Sequence, residues 1–182
     1  MASIREGNKS VLLVVDGQVG VVDGAWESQR VVGQVALAVD RARTQGAPVI
    51  WVQHADDELV QGSPEWQWVP ELVPAAGELL IHKGFNSSFE NTPLEGELEK
   101  MGATHIVLAG CATNWCIRAT AYGALERGYD LTLVKDGHTT KTMDADKGAK
   151  AQVLVEDLNT AMMWLSYPGR KNTALNAEEL SF

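Results

Sequence analysis

Val11-Leu12-Leu13-Val14-Val15 is a run of five apolar residues, three of them β-branched, closed by Asp16. A strand with one wet face alternates apolar and polar residues. A run without alternation has both faces covered, as in a parallel sheet between two helical layers. It is too short to cross a membrane or to form a signal-peptide core. The rest of the chain continues the theme. Residues 27–45 place Val31, Val35, Leu37, Ala38 and Ala42 at helical spacing, Gly46 stops that helix, and Pro48 opens PVIWVQH, a second strand. ELLIHK reads as a third strand. TPLEGELEKMG reads as a helix with Thr92 as N-cap and Pro93 at its first position. HIVLAG is a fourth strand, residues 114–127 a helix ended by Gly128, and YDLTLVKDG a fifth strand. Residues 144–165 read as mostly helical, and a short strand around Asn172–Leu175 closes the sheet. This alternation predicts an α/β fold: one domain over residues 1–182, in three α-β-α layers, with a Rossmann-like, six-stranded, mainly parallel sheet carrying helices on both faces.

Composition narrows the function. The formal net charge is −9, with no cluster of Lys and Arg, which argues against nucleic acid as a partner. No apolar run is long enough to span a membrane, so a cytoplasmic location is expected. Two cysteines make no disulfide framework, and in a reducing compartment both are expected as free thiols.

Open parallel sheets bind ligands beyond the carboxyl ends of their strands. The residues found just past those ends are Asp16, His54, Lys83, Cys111, Cys116 and Asp136. A carboxylate closing a buried strand needs a partner. Cys116 falls in the first turn of the helix after strand four. There the macrodipole, with a nearby ammonium, is expected to lower the thiol pKa, and a carboxylate can accept the thiol proton. Cys111 is placed as a packing residue. His54 reads as a substrate contact or a hydrogen-bonded strand cap. Asp136, His138 and Thr139 read as a structural hydrogen-bond network. Of six tryptophans, Trp26, Trp66, Trp68 and Trp115 fall near the predicted rim, as pocket walls or as packing and interface residues.

Three stretches, LLVVDGQVGVV, KGFNSSFENTPL and LAGCATNWCIRATAYGALERGYDLTLVKDGHTT, cover most of residues 11–140. In that order they resemble the isochorismatase-like cysteine hydrolases, the superfamily of nicotinamidases, N-carbamoyl-amide hydrolases and streptothricin hydrolases. The resemblance implies a catalytic triad of Asp16, Lys83 and Cys116. It also implies a cis peptide between Cys111 and Ala112, and an oxyanion hole made by the N–H groups of Ala112 and Cys116. It implies hydrolysis of a C–N bond (amide, carbamoyl or lactam) in a small molecule through a thioester, and a homodimer or homotetramer. Gln18, Asn114, Trp115, His54 and Trp66 are the candidate substrate contacts. Where the family reads Asp-Met-Gln-Asn, this chain reads Asp16-Gly17-Gln18-Val19, and Gly17 and Val19 are expected to reshape the pocket wall. The Asp-x-His metal motif of family nicotinamidases is absent from QHADDELVQGSPEWQW; one histidine beside scattered acids makes a poor metal site, so no metal or other cofactor is expected. An ether or ester hydrolase on the same scaffold, a thiol-redox protein and a non-catalytic homologue are the competing readings.

Overall fold

The computed structural model describes residues 4–142 and 149–182. Its sheet has six strands: β1 (Lys9–Val15), β2 (Val49–His54), β3 (Leu79–Lys83), β4 (Ala103–Cys111), β5 (Asp130–Thr139) and β6 (Asn172–Leu175). They lie in the order β3-β2-β1-β4-β5-β6, and every pairing is parallel. The sequence reading of a mainly parallel sheet thus sharpens to a wholly parallel one. The helices are α1 (Val19–Val22), α2 (Ser28–Thr44), α3 (Leu94–Met101), α4 (Arg118–Glu126) and α5 (Ala151–Trp164). The segment expected to be helical from residue 144 starts at Ala151; residues 143–148 lie outside the described part of the chain. The helix expected to start at Pro93 begins one residue later, at Leu94, with Pro93 as its N-cap; the Thr92 hydroxyl accepts the Leu94 N–H at 3.3 Å.

β1 shows why an unbroken apolar run suits this fold. Val11, Leu13 and Val15 point into one core with Ile50, Ile106, Leu131 and the inner faces of α3, α4 and α5. Leu12 and Val14 point the other way, into a second core with Trp51, Val107 and the valines of α2. All five residues of the run are fully buried. At roughly 25 cal/mol per Å² of apolar surface, one such strand contributes several kcal/mol toward ordering both layers. The second core also takes Val69 and Leu72 from the segment between β2 and β3, and Ala177 and Leu180 from the C-terminal tail.

The carboxyl ends of β1 and β4 are drawn unusually close. Gly110 sits at φ +124°, and a Cβ there would lie 1.9 Å from the Val15 carbonyl oxygen. Only glycine allows that approach. It places the residue after Val15 beside the turn that leaves β4, which is where the sequence puts Asp16 and the two cysteines.

Candidate active site

Asp16 follows β1 in a left-handed conformation, φ +50°, and its N–H donates to the Val52 carbonyl at 2.8 Å. Aspartate tolerates this geometry better than most residues. The turn aims its carboxylate at Lys83, the last residue of β3; Nζ lies 2.8 Å from Oδ2, and both side chains are essentially inaccessible to solvent. Burial raises the Asp16 pKa, and the Lys83 ammonium opposes that rise without cancelling it. Lys83 Nζ also donates to Cys116 Sγ at 3.2 Å and lies 3.3 Å from His54 Nδ1. An ammonium has three hydrogens. Here they meet a carboxylate, a sulfur and an imidazole.

Cys116 sits in a π-helical turn, Thr113–Ile117, which leads directly into α4. The Trp115 and Ile117 N–H groups both donate to the Ala112 carbonyl, at 3.0 and 3.1 Å. Such a turn re-aims one side chain relative to an ordinary helix start. The preceding Cys111–Ala112 peptide bond is cis.

The acidity expected of Cys116 is corrected by its surroundings. Its thiol is pushed up from 9.0 to about 12, first by burial and then by the Asp16 charge, against the pull of Lys83. The sulfur belongs to the core beneath α4, and desolvation outweighs the cation. The resting site is therefore a neutral thiol beside a carboxylate–ammonium pair. Cys111 is also pushed up to about 12 by burial, and its side chain lies in the opposite core. Both thiols are free.

Asp16 and Lys83, at the carboxyl ends of β1 and β3, and Cys116, in the turn after β4, converge. A protein-family model, the isochorismatase domain, matches residues 10–161. The chain belongs to the isochorismatase family. Among curated relatives, a streptothricin hydrolase of Streptomyces noursei is 31% identical over 160 residues, which is 84% of this chain and 63% of that protein. Maleamate amidohydrolase of Pseudomonas putida is 35% identical over 89 residues, 48% of this chain and 42% of that protein. The chain thus spans about half of these relatives' length. The crystal structure of a cysteine hydrolase from Pseudomonas syringae pv. phaseolicola superposes with a TM-score of 0.85 at 17% identity, over 97% of this chain and 95% of that one. That likeness shows the fold alone.

The other predicted site residues are placed less uniformly. Gln18 is fully buried, and its amide is engaged on both sides by backbone. It donates to the His54 and Trp66 carbonyls at 3.0 and 2.9 Å and accepts the His54 N–H at 2.9 Å. It braces the β2 end against the following loop, so its polar atoms do not face a ligand. Trp66 lies over His82, ring centroids 5.5 Å apart, and His82 points to the opposite face of β3 from Lys83. The Trp66 ring therefore lies away from Asp16, Lys83 and Cys116, and what the loop presents there is its carbonyl, bound by Gln18 and Gln53. Gly17 faces Leu72 and Trp68, leaving room for that loop to close; it shapes the loop's seat instead of a pocket wall. Val19 lines a shallow groove with Val22 and Val69. Trp115 is half-exposed next to Cys116, and Asn114 Oδ1 accepts the Thr140 hydroxyl at 2.6 Å.

The polar cluster at the end of β5 is held in a hydrogen-bond network. Asn159 donates to the Lys135 carbonyl, which leaves its Oδ1 for His138 Nε2 at 3.1 Å, and His138 Nδ1 then accepts the Thr113 hydroxyl at 2.9 Å. This buried chain of bonds ties α5 to the first residue of the π-turn. Sequence gave no signal for Asn159, whose role depends on where α5 crosses. Among the described residues, no three His, Cys, Asp or Glu side chains are grouped to hold a metal ion. No helix there is long and apolar enough to cross a membrane.

Proposed function

We propose that this chain is a cysteine hydrolase that cleaves the C–N bond of a small amide, carbamoyl compound or lactam through a thioester on Cys116. The observation that carries this reading is the Lys83 ammonium, which touches the Asp16 carboxylate and the Cys116 sulfur together in a desolvated setting. Amidohydrolases among the relatives support the bond class.

The chemistry follows from the resting charges. Asp16, whose proton affinity burial has raised, takes the thiol proton as sulfur attacks the carbonyl carbon. Lys83 stabilises the emerging negative charge on sulfur and keeps Asp16 oriented. The Ala112 and Cys116 N–H groups stabilise the oxyanion. Protonated Asp16 then gives its proton to the leaving nitrogen, and the amine departs. Water attacks the thioester carbonyl, losing its proton to Asp16, and the returning sulfur regains that proton. The buried carboxylate is suited to this shuttle because burial favours its protonated form while Lys83 favours its ionised form.

The test is a panel of primary amides, N-carbamoyl amino acids, ureido acids and a streptothricin-type lactam, read by amine or ammonia release. Acid-quenched reactions are weighed intact for an acyl adduct on Cys116. Turnover with a trapped adduct, both lost in Cys116→Ala, supports the reading. Turnover that survives Cys116→Ala overturns it.

A further inference from the structure

We propose that His54 and Asp56 form a positioning pair for the Lys83 ammonium, in which Asp56 fixes the imidazole tautomer and His54 fixes where the ammonium points. The inference rests on the cysteine-hydrolase reading of the site and extends it to two residues that do not touch the nucleophile.

The argument is one of donors and acceptors. Asp56 is a carboxylate: its pKa is held down first by the Leu59 N–H and then by His54. An ionised carboxylate only accepts hydrogen bonds. Its Oδ1 takes the Glu58 and Leu59 N–H groups at 2.9 and 2.7 Å, and its Oδ2 lies 2.9 Å from His54 Nε2. Nε2 must therefore carry the proton. A neutral ring protonated at Nε2 has its lone pair on Nδ1, the atom 3.3 Å from Lys83 Nζ. Lys83 has no acceptor of its own, so the same contact with a proton on Nδ1 would set donor against donor. The charged groups facing His54 are Asp56 on its own loop, Lys83 from β3 and Asp16 from β1.

Without the Nδ1 acceptor, one ammonium hydrogen loses its partner in a desolvated site, where an unsatisfied donor is costly. The ammonium is then free to turn away from Asp16 and Cys116. The loop that carries Asp56 would in this way set the catalytic geometry. Gln18 supports it by holding the His54 backbone at both its N–H and its carbonyl.

The experiment compares His54→Leu, His54→Asn and Asp56→Asn in the full-length chain. Asparagine at position 54 puts an acceptor oxygen close to where Nδ1 was; leucine does not. In His54→Leu, kcat falls at least about tenfold with little change in KM, and His54→Asn recovers most of it. Asp56→Asn keeps an oxygen for the Glu58 and Leu59 N–H groups but presents an NH₂ to Nε2, which moves the ring proton to Nδ1 and lowers kcat. ¹⁵N imidazole spectra read that tautomer directly: Nε2–H in the wild type and Nδ1–H in Asp56→Asn. A wild-type spectrum showing Nδ1–H overturns the proposal. So does His54→Leu turnover within twofold of wild type, or His54→Asn as damaged as His54→Leu. The tautomer measurement needs no substrate. If the amide panel is silent, the hydrolase reading falls and the spectra alone still decide the pair.

Discussion

Replacing Asp16 with asparagine has opposite effects on two reactions of one sulfur. The thiol of Cys116 is pushed up from 9.0 to about 12, and after burial the largest cause is the Asp16 charge. At pH 8 an ordinary thiol is about one-tenth thiolate, whereas one at about 12 is about one part in ten thousand, a reduction of ~1000-fold. Alkylation by iodoacetamide follows the thiolate fraction. Cys116 in the folded protein therefore labels about three orders of magnitude more slowly than in the same protein unfolded in urea, with no inflection below pH 9. Asp16→Asn removes both the repelling charge and the acceptor of the thiol proton, while Lys83 remains 3.2 Å from the sulfur. Labelling at pH 8 then rises about tenfold or more. Amide hydrolysis falls by at least about a hundredfold, because the leaving nitrogen has lost its proton donor. The assay is a quenched time course with peptide mass spectrometry at Cys116, across pH 6 to 10. A wild-type inflection at or below pH 7 would refute the reasoning, for it would mean a thiolate–ammonium pair already formed in the resting site. Slower labelling in Asp16→Asn would refute it too.

Three further outcomes are expected. Lys83→Met removes the ammonium that opposes burial at both Asp16 and Cys116, so Cys116 labelling slows, Asp16 takes up a proton more readily and amide turnover falls at least about a hundredfold; stopped assays with the same peptide readout measure both. His138 is buried and held down to about 4 against an ordinary value of 6.5, so between those pH values the unfolded chain binds a proton that the folded one does not. Its contribution is fully present above pH 6.5 and is lost as pH falls toward 4, about 3 kcal/mol in all, with partly buried His105 acting in the same direction. Urea unfolding across pH 4 to 7 measures this slope, and His138→Asn flattens it. Gly110→Ala places a methyl carbon against the Val15 carbonyl at a distance no contact permits, so β1 and β4 separate at their carboxyl ends; soluble yield and Tm both fall, and residual folded protein is inactive.

Strands were legible because each central one is buried on both faces, which leaves unbroken apolar runs such as 11–15 and 106–109. The candidate site was legible because Asp16 and Lys83 stand at two strand ends, Cys116 follows a third strand, and all three lie in stretches that resemble one family. Depth was not legible. The sequence shows Cys116 near a helix start and Lys83 at a strand end, which suggests an acidic thiol. That the sulfur sits in the core is a property of how α4 and α5 close over the sheet. The π-turn carried no signal either, since its defining bond from Ile117 to Ala112 needs no particular residue type. The segment from residue 55 to 77 has no period, so nothing in it showed that Trp66 faces His82 and not Lys83.

Gln18 and Lys83 show how the structure separates scaffold from chemistry. Both are polar, buried and one turn or less from a strand end, and from sequence alone both read as site residues. Every partner of the Gln18 amide is a backbone group in a fixed position and a fixed state. Such bonds are the same before, during and after any reaction, so they hold the loop and nothing more. Every partner of the Lys83 ammonium is a side chain that can gain or lose a proton. Its bonds change strength whenever one of those protons moves, which is what a reaction at that point requires. By the same criterion His54 belongs with Lys83, although its ring does not reach the sulfur's hydrogen-bonding shell. Its backbone is scaffold, clasped by Gln18, and its imidazole joins a solvent-facing carboxylate to a buried ammonium.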